Sequence, residues 1–293
     1  MTMTGTEARR ETSAALPPVD HRPLRRRRRN RAVQQAAAVA ITLFMAIPVY
    51  LIALAALSSR ASLNDFPKSF LPTDFSTATL DAFWSSTGVF PATVNSVMAG
   101  LLTVLLSLAV GAPAGYALSR YVFRGRDAYQ VVLLLTRALP IVVLSIPLAQ
   151  LFLSTGIYDT VTAVVLIHTA LALPTTVLIT ASIFVSVPRD VEEAALIFGC
   201  TRLGAFRRVV MPLAVPGLAA SSVFTFVLSW NEVLGAAVIT LDHRTLPAQV
   251  LTSLQQSPLA YRFAGGFLLV VPALIFIALM RRYLLNMWGT GAR

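Results

Sequence analysis

The chain is predicted to be an all-α, polytopic membrane protein with six transmembrane helices and both termini in the cytoplasm. Three observations predict it. Of 293 residues, 56% are hydrophobic and only 13% are charged, about half the charge of an ordinary soluble domain, and the mean hydropathy is +0.71. The apolar residues are gathered into six long runs nearly free of charge, each close to or beyond the ~20 residues a helix needs to cross hydrocarbon. The basic residues, finally, lie almost all on one side of those runs. These features exclude a soluble enzyme, a disordered tail protein and a disulfide scaffold. The one cysteine, Cys200, has no partner in the chain.

Residues 1–32 are polar, rich in Pro, Arg, Ala and Thr, and read as a disordered basic cytoplasmic tail. The run Arg25 to Arg29 reads as a topology anchor held against anionic headgroups, with a specific anionic lipid or nucleic acid as the other reading. The first apolar run starts only after residue 32 and lacks a small-residue cleavage pattern, so no cleavable signal peptide is expected. The expected spans are 33–57, 91–119, 128–153, 161–185, 213–240 and 263–280. Span three is interrupted only by Arg137. Several spans exceed the minimum crossing length, which implies tilt or overlap with loops. Residues 33–293 are read as one transmembrane domain, in which 186–212 form a cytoplasmic loop.

Charge sets the orientation. Nineteen of the 24 basic residues fall in the tail, in the loops after spans two and four, and at the C-terminal end. Only Arg60, Lys68, Arg244 and Arg262 fall on the other side. The positive-inside rule therefore places both ends in the cytoplasm. The net charge of +11 is a matter of position and gives no reason to invoke nucleic acid.

Several chemistries lack the residues they need. The one lysine, Lys68, follows no glycine-rich G-x-x-x-x-G-K-[ST] turn, so the chain has no phosphate-binding loop of its own. His21, His168 and His243 fall in a tail, a span and an outer loop, which argues against a metal site. His168 is expected as a hydrogen-bonded core residue. Nothing resembles a hydrolase triad, so no catalytic residue, cofactor site or metal site is assigned. Arg137 and Glu232 are the clear charges within spans. Such groups line a pathway or form a structural pair, and both readings stay open. Two isolated charges fall short of the relay a proton-coupled carrier needs, and the halves show no convincing repeat. Pro140, Pro147, Pro174 and Pro272 interrupt helices at membrane depth, while Gly111 and Gly115 allow close helix packing.

The loop 186–212 reads as a helix–turn–helix. Pro188 suits a first helical position, and Asp190, Glu192 and Glu193 favour the positive N-terminal end. Gly199 suits a left-handed helix stop, Thr201 a cap for a second short helix, and Pro212 the start of span five. Ala194 and Ala195 give a small, smooth surface that another protein can approach. On physics alone this is a docking element or a solvated amphipathic loop.

Glu193-Ala194-Ala195, three residues, Gly199, nine residues and then Val209-Val210-Met211-Pro212 resemble the E-A-A-x3-G-x9-I-x-L-P loop of ABC-importer permeases. The match looks closest to the carbohydrate-uptake branch, similar to the smaller permease of maltose transporters. Asn95-Ser96, Tyr116-Ala117-Leu118-Ser119-Arg120, Leu139-Pro140, Ile146-Pro147-Leu148 and Ser229-Trp230-Asn231-Glu232 agree with that branch. The resemblance covers about residues 33–293. Phe198 stands where the family often has Asp, which removes one polar contact from the loop.

The resemblance implies a coupling helix at 188–210 seated on a cytoplasmic ATPase subunit, with Glu193, Ala194, Ala195, Gly199, Arg202 and Pro212 as coupling residues. It implies a second permease subunit in a heterodimer, two ATPase subunits that bind ATP and Mg, and an external solute-binding protein, lipid-anchored in many such systems. The chain itself would bind no cofactor, hydrolyse nothing, and sit in the bacterial cytoplasmic membrane. Asn95, Arg137, Trp230, Asn231 and Glu232 are the candidates for the pathway of a sugar, oligosaccharide or polyol. By the same resemblance the outer loop 241–262 would reach the binding protein, and 286–293 the ATPase interface. The competing reading is an ion-coupled carrier or channel acting without an ATPase.

Overall fold

The computed structural model describes residues 22–289, apart from positions 60, 64–65, 68, 72–73 and 255–256, with backbone alone over 22–30, 253–254 and 281–289. Residues 1–21 of the expected tail and the last four residues lie outside the described residues. The chain divides into two compact units at Tyr50/Leu51. The first is helix α1 (Arg22–Ala56) up to that boundary. The helix begins at Arg22, so the arginine run expected in a disordered tail is helical instead. Arginine is a good helix former, and an established helix extends at little cost.

The second unit continues with α2 (Ala78–Trp84), α3 (Val89–Arg120), α4 (Arg126–Thr136), α5 (Ile141–Thr155), α6 (Val161–Ser186), α7 (Arg189–Ile197) and α8 (Arg202–Ala205). A π-helical turn (Phe206–Val210) leads into α9 (Met211–Asn231), followed by α10 (Leu234–Ile239), α11 (Leu246–Leu254) and α12 (Leu259–Gly289). No strand occurs among the described residues; Ser58 and Phe75 form an isolated bridge. The chain is thus an all-helical, multi-pass membrane protein.

Five helices are long and apolar enough to cross a membrane, and a sixth span exists only if α4 and α5 count as one. Those two helices meet at 91°, so the expected single span 128–153 is a sharply broken one. The cause is local. Pro140 donates no backbone hydrogen bond and disfavours helical geometry at Leu139, and Pro140 itself is extended at φ −66°, ψ 130°. The expected span 213–240 is also two pieces, because the chain turns extended at Glu232 (φ −75°, ψ 123°) before α10.

Helices α3, α6 and α9 pack at the centre, and glycines set their separation. A Cβ on Gly115 would stand 2.6 Å from the backbone nitrogen of Ala181, and one on Gly217 would stand 2.6 Å from the Ile183 side chain. Buried hydroxyls add polar links: Thr180 Oγ1 donates to the Gly111 carbonyl at 2.9 Å, and the hydroxyls of Thr176 and Thr225 lie 3.0 Å apart. In hydrocarbon such close approach and interhelical hydrogen bonding replace the hydrophobic drive that folds soluble bundles.

Candidate functional site

Two features of the second unit stand out: the α7–α8 hairpin at one end and a cavity at the α4–α5 break. The hairpin is closed by a Schellman turn. Gly199 adopts φ +88°, its N–H donates to the Leu196 carbonyl at 3.0 Å, and the Cys200 N–H donates to the Ala195 carbonyl at 3.0 Å. Only glycine takes that conformation freely. Pro188 lies one residue earlier than its expected place, immediately before the helix. Thr201 caps α8 as expected, its hydroxyl accepting from the Gly204 N–H at 3.1 Å.

Pro212 lies in the first turn of α9 and does not begin a separate span, since α8, the π-turn and α9 run on as one helix, Arg202–Asn231. Inside a helix a proline clashes with the carbonyl four residues back, and a widened turn relieves that clash. The π-turn supplies that width, with the Met211 N–H bonded to the Phe206 carbonyl.

The hairpin root rests on an aromatic cluster. Tyr116 of α3 meets Phe184 of α6 edge-on at 5.7 Å and Phe206 at 4.5 Å. Glu192, one residue before the expected coupling glutamate, is bound inward: Arg120 Nε lies 2.8 Å from its Oε2, and the Tyr116 hydroxyl donates to its Oε1. Glu193 and Ala194 face outward. Glu193 makes no hydrogen bond or ion pair with any described residue. Next to them Ile197 and Phe198 are 83% and 88% exposed, an apolar tip at the turn. Arg202 stands 5.9 Å from the centre of the Tyr121 ring.

The second feature is a cavity of about 660 Å³. Its wall is mainly Leu, Ile and Pro side chains from α5 and α6, with Thr136, Arg137, Thr175, Asn231 and Glu232 as the polar groups. Arg137 is exposed and unpaired among the described residues. Glu232 is engaged on all sides: its Oε1 accepts from the Gly235 N–H at 2.8 Å, and its Oε2 accepts from the Ala236 N–H at 3.0 Å and lies 3.1 Å from His168 Nε2. His168 Nδ1 in turn lies 2.7 Å from the Ser229 hydroxyl. His168 is thus a buried, hydrogen-bonded core residue, as expected.

The structure brings Arg137, Asn231 and Glu232 together and leaves Trp230 and Asn95 outside. Trp230 is 1% exposed and donates its Nε1–H to the Leu269 carbonyl of α12 at 2.8 Å. One residue along a helix turns the side chain by about 100°, so the neighbour of a cavity residue faces another helix. Asn95 lies at the far end of α3, where its Nδ2 donates to the Arg244 carbonyl at 3.2 Å. The outer loop expected at 241–262 contains α11, whose Leu246 and Ala248 are buried, while Leu241, Asp242 and His243 before it are exposed, with their backbone N–H groups bound to Asp159. Sequence reading passed over Glu192, Arg120 and Tyr116 as a group, because each comes from a different stretch of chain and no spacing rule joins them.

These features define a class: a multi-pass helical membrane protein with a braced hairpin at one end and a polar-spotted cavity among its spans. Residues 107–285 match the family of binding-protein-dependent transport system inner membrane components, and the chain belongs to that family. It is 30% identical over 207 residues to the trehalose transport system permease protein SugB of Mycobacterium tuberculosis, covering 69% of this chain and 76% of that one. It is 29% identical over 266 residues to the diacetylchitobiose uptake system permease protein DasC of Streptomyces coelicolor, covering 87% and 94%. Its fold is similar to a chain in the crystal structure of a bacterial ABC transporter that imports the acidic polysaccharide alginate, with TM-score 0.66, 21% identity, and coverage of 88% and 98%.

Proposed function

We propose that this chain forms one half of the membrane pathway of an ATP-driven importer for a sugar, oligosaccharide or polyol in a bacterial cytoplasmic membrane. Its partners are a second permease subunit, two ATPase subunits that hold ATP and Mg, and an external solute-binding protein. Family membership supports the class, and the saccharides in the names of its relatives support the substrate class. Both termini and the α7–α8 hairpin then face the cytoplasm, in keeping with the arginine distribution. The cavity suits a sugar, with apolar walls for the ring faces and Arg137, Asn231, Thr136 and Thr175 for hydroxyls. Arg202 opens the hairpin's return arm and Pro212 lies where that arm continues into α9, and the exposed side chains of 241–243 offer a surface for a binding protein.

One observation carries the coupling role: an exposed, unpaired Glu193 beside Ala194 on a helix whose other glutamate is fully used internally. A carboxylate displayed on a braced helix next to a small-residue surface suits a basic cleft on an ATPase subunit. The test is co-purification and uptake in cells that contain the whole transporter. Glu193→Lys is expected to lose the ATPase subunit and abolish uptake while the chain still inserts. Gly199→Pro is expected to do the same, since proline cannot adopt φ +88°. Normal uptake in both variants would overturn the assignment.

A further inference from the structure

We propose that Arg120, Glu192 and Tyr116 form a positioning lock that makes α7 move with α3 as one body. The inference rests on the proposed docking of α7 to an ATPase. Its starting point is the link between α6 and α7. Val187 and Pro188 are extended there, at ψ 123° and ψ 136°, so two residues of extended backbone separate the hairpin from the span. A push or tilt applied to α7 would be spent at that link unless something bridges it.

Four contacts do so, all from the end of α3. Arg120 Nε pairs with Glu192 Oε2 at 2.8 Å, and the same guanidinium donates through Nη2 to the Val187 carbonyl at 2.9 Å, in the link itself. The Tyr116 hydroxyl donates to Glu192 Oε1. Arg189 Nη2 reaches back to the Ser119 carbonyl at 3.4 Å. The Arg120 and Glu192 side chains are 6% and 14% exposed, so solvent screens the pair little, and loss of either partner strands a charge. Tyr116 also packs against α6, edge-on to Phe184, and against the π-turn, tilted on Phe206, which joins all three elements. Adjacent glutamates thus divide the work. Glu193 faces the partner, and Glu192 ties the received motion to the spans.

The experiment uses the assembled transporter with its ATPase subunits in proteoliposomes. On a Cys200→Ser background, a cysteine replaces Ala170 in the cavity wall, and its labelling by a soluble maleimide is followed with and without ATP and vanadate. ATP is expected to change that labelling in the parent. Glu192→Gln and Tyr116→Phe are expected to keep the ATPase subunit and its hydrolysis but to shrink the ATP-dependent change about fivefold or more, the scale of coupling between separate sites. The exchange Arg120→Glu with Glu192→Arg is expected to restore part of it. A merely structural contact would lower hydrolysis and labelling in step with the amount of assembled complex, and that result overturns the lock. So does a full response in Glu192→Gln. Should the arginine variants fail to insert, Tyr116→Phe removes one hydroxyl and still decides the matter. A parent that responds while Glu193→Lys also responds overturns the docking reading, whereas a response lost only in Glu193→Lys overturns the lock alone.

Discussion

Asp159 illustrates how one side chain can hold a segment that no helix holds. It lies in the turn between α5 and α6 with φ +56°, and its N–H donates to the Ile239 carbonyl at 3.0 Å. Its Oδ1 accepts the N–H groups of Leu241, Asp242 and His243 at 2.7, 3.0 and 3.0 Å. Partial burial works against its ionisation, but the three N–H groups outweigh it, so the carboxyl is held below its ordinary range. A group whose folded pKa is depressed stabilises the fold above its unfolded value of ~3.9 and loses that contribution as pH falls through the folded value. Asn tolerates the same left-handed backbone, so Asp159→Asn isolates the charge. The variant is expected to lose about 1 kcal/mol at neutral pH, the scale of a hydrogen bond to a charged group. Thermal unfolding in detergent between pH 7 and 3 checks it: the difference from the parent should close toward the acid end. A gap that persists unchanged would mean the charge contributes nothing.

At the scale of elements, the α3–α6 contact depends on having no side chain at Gly115. The ideal Cβ there would lie 2.2 Å from Thr180 Oγ1 and 2.6 Å from the Ala181 backbone nitrogen. The hydroxyl can rotate away, but the backbone cannot. Gly115→Ala therefore forces the helices apart and is expected to destabilise the fold by about 1–3 kcal/mol, the usual cost of overpacking. Gly125→Ala, in open space though at φ +89°, reports backbone strain alone; a Gly115→Ala variant that unfolds with the parent would argue against the contact. Gly111 and Gly115 were legible as a small-residue step because that signal is local in sequence. So was the hairpin, since Pro188, Gly199 and Thr201 each act within a turn. The break between α4 and α5 was not legible as a 91° bend, because hydropathy reports composition and carries no direction. Pro140 marks the place, but the angle comes from how α5 packs against α6 and α10. The bracing of α7 was hidden for a similar reason, as its partners arrive from α3 through the tertiary fold.

Across the whole second unit, the two ends are built differently, and the difference bears on how transport is driven. At the hairpin end, α3, α6 and α7 are joined by an ion pair and an aromatic cluster. At the other end, Asp159, Asn95 and the Ser96 hydroxyl, which accepts the Leu246 N–H at 2.7 Å, pin the segment between α10 and α11 from both sides. The cavity lies at the α4–α5 break, where Glu232 is the carboxylate in its wall, already occupied by His168 and two backbone N–H groups. An ion-coupled carrier needs a titratable group free to exchange its proton or ion with the pathway. Releasing Glu232 would instead leave the α9–α10 break without its cap. The energy for alternating access is therefore expected to enter through the hairpin. The purified chain alone, in proteoliposomes under an imposed pH or sodium gradient, is expected to accumulate no radiolabelled disaccharide from a panel that includes trehalose. Membranes holding the full set of subunits and the binding protein are expected to accumulate one of that panel only when ATP is supplied on the hairpin side. Gradient-driven flux through the chain by itself would show that the energy enters elsewhere, and would favour the ion-coupled reading over the ATP-driven one.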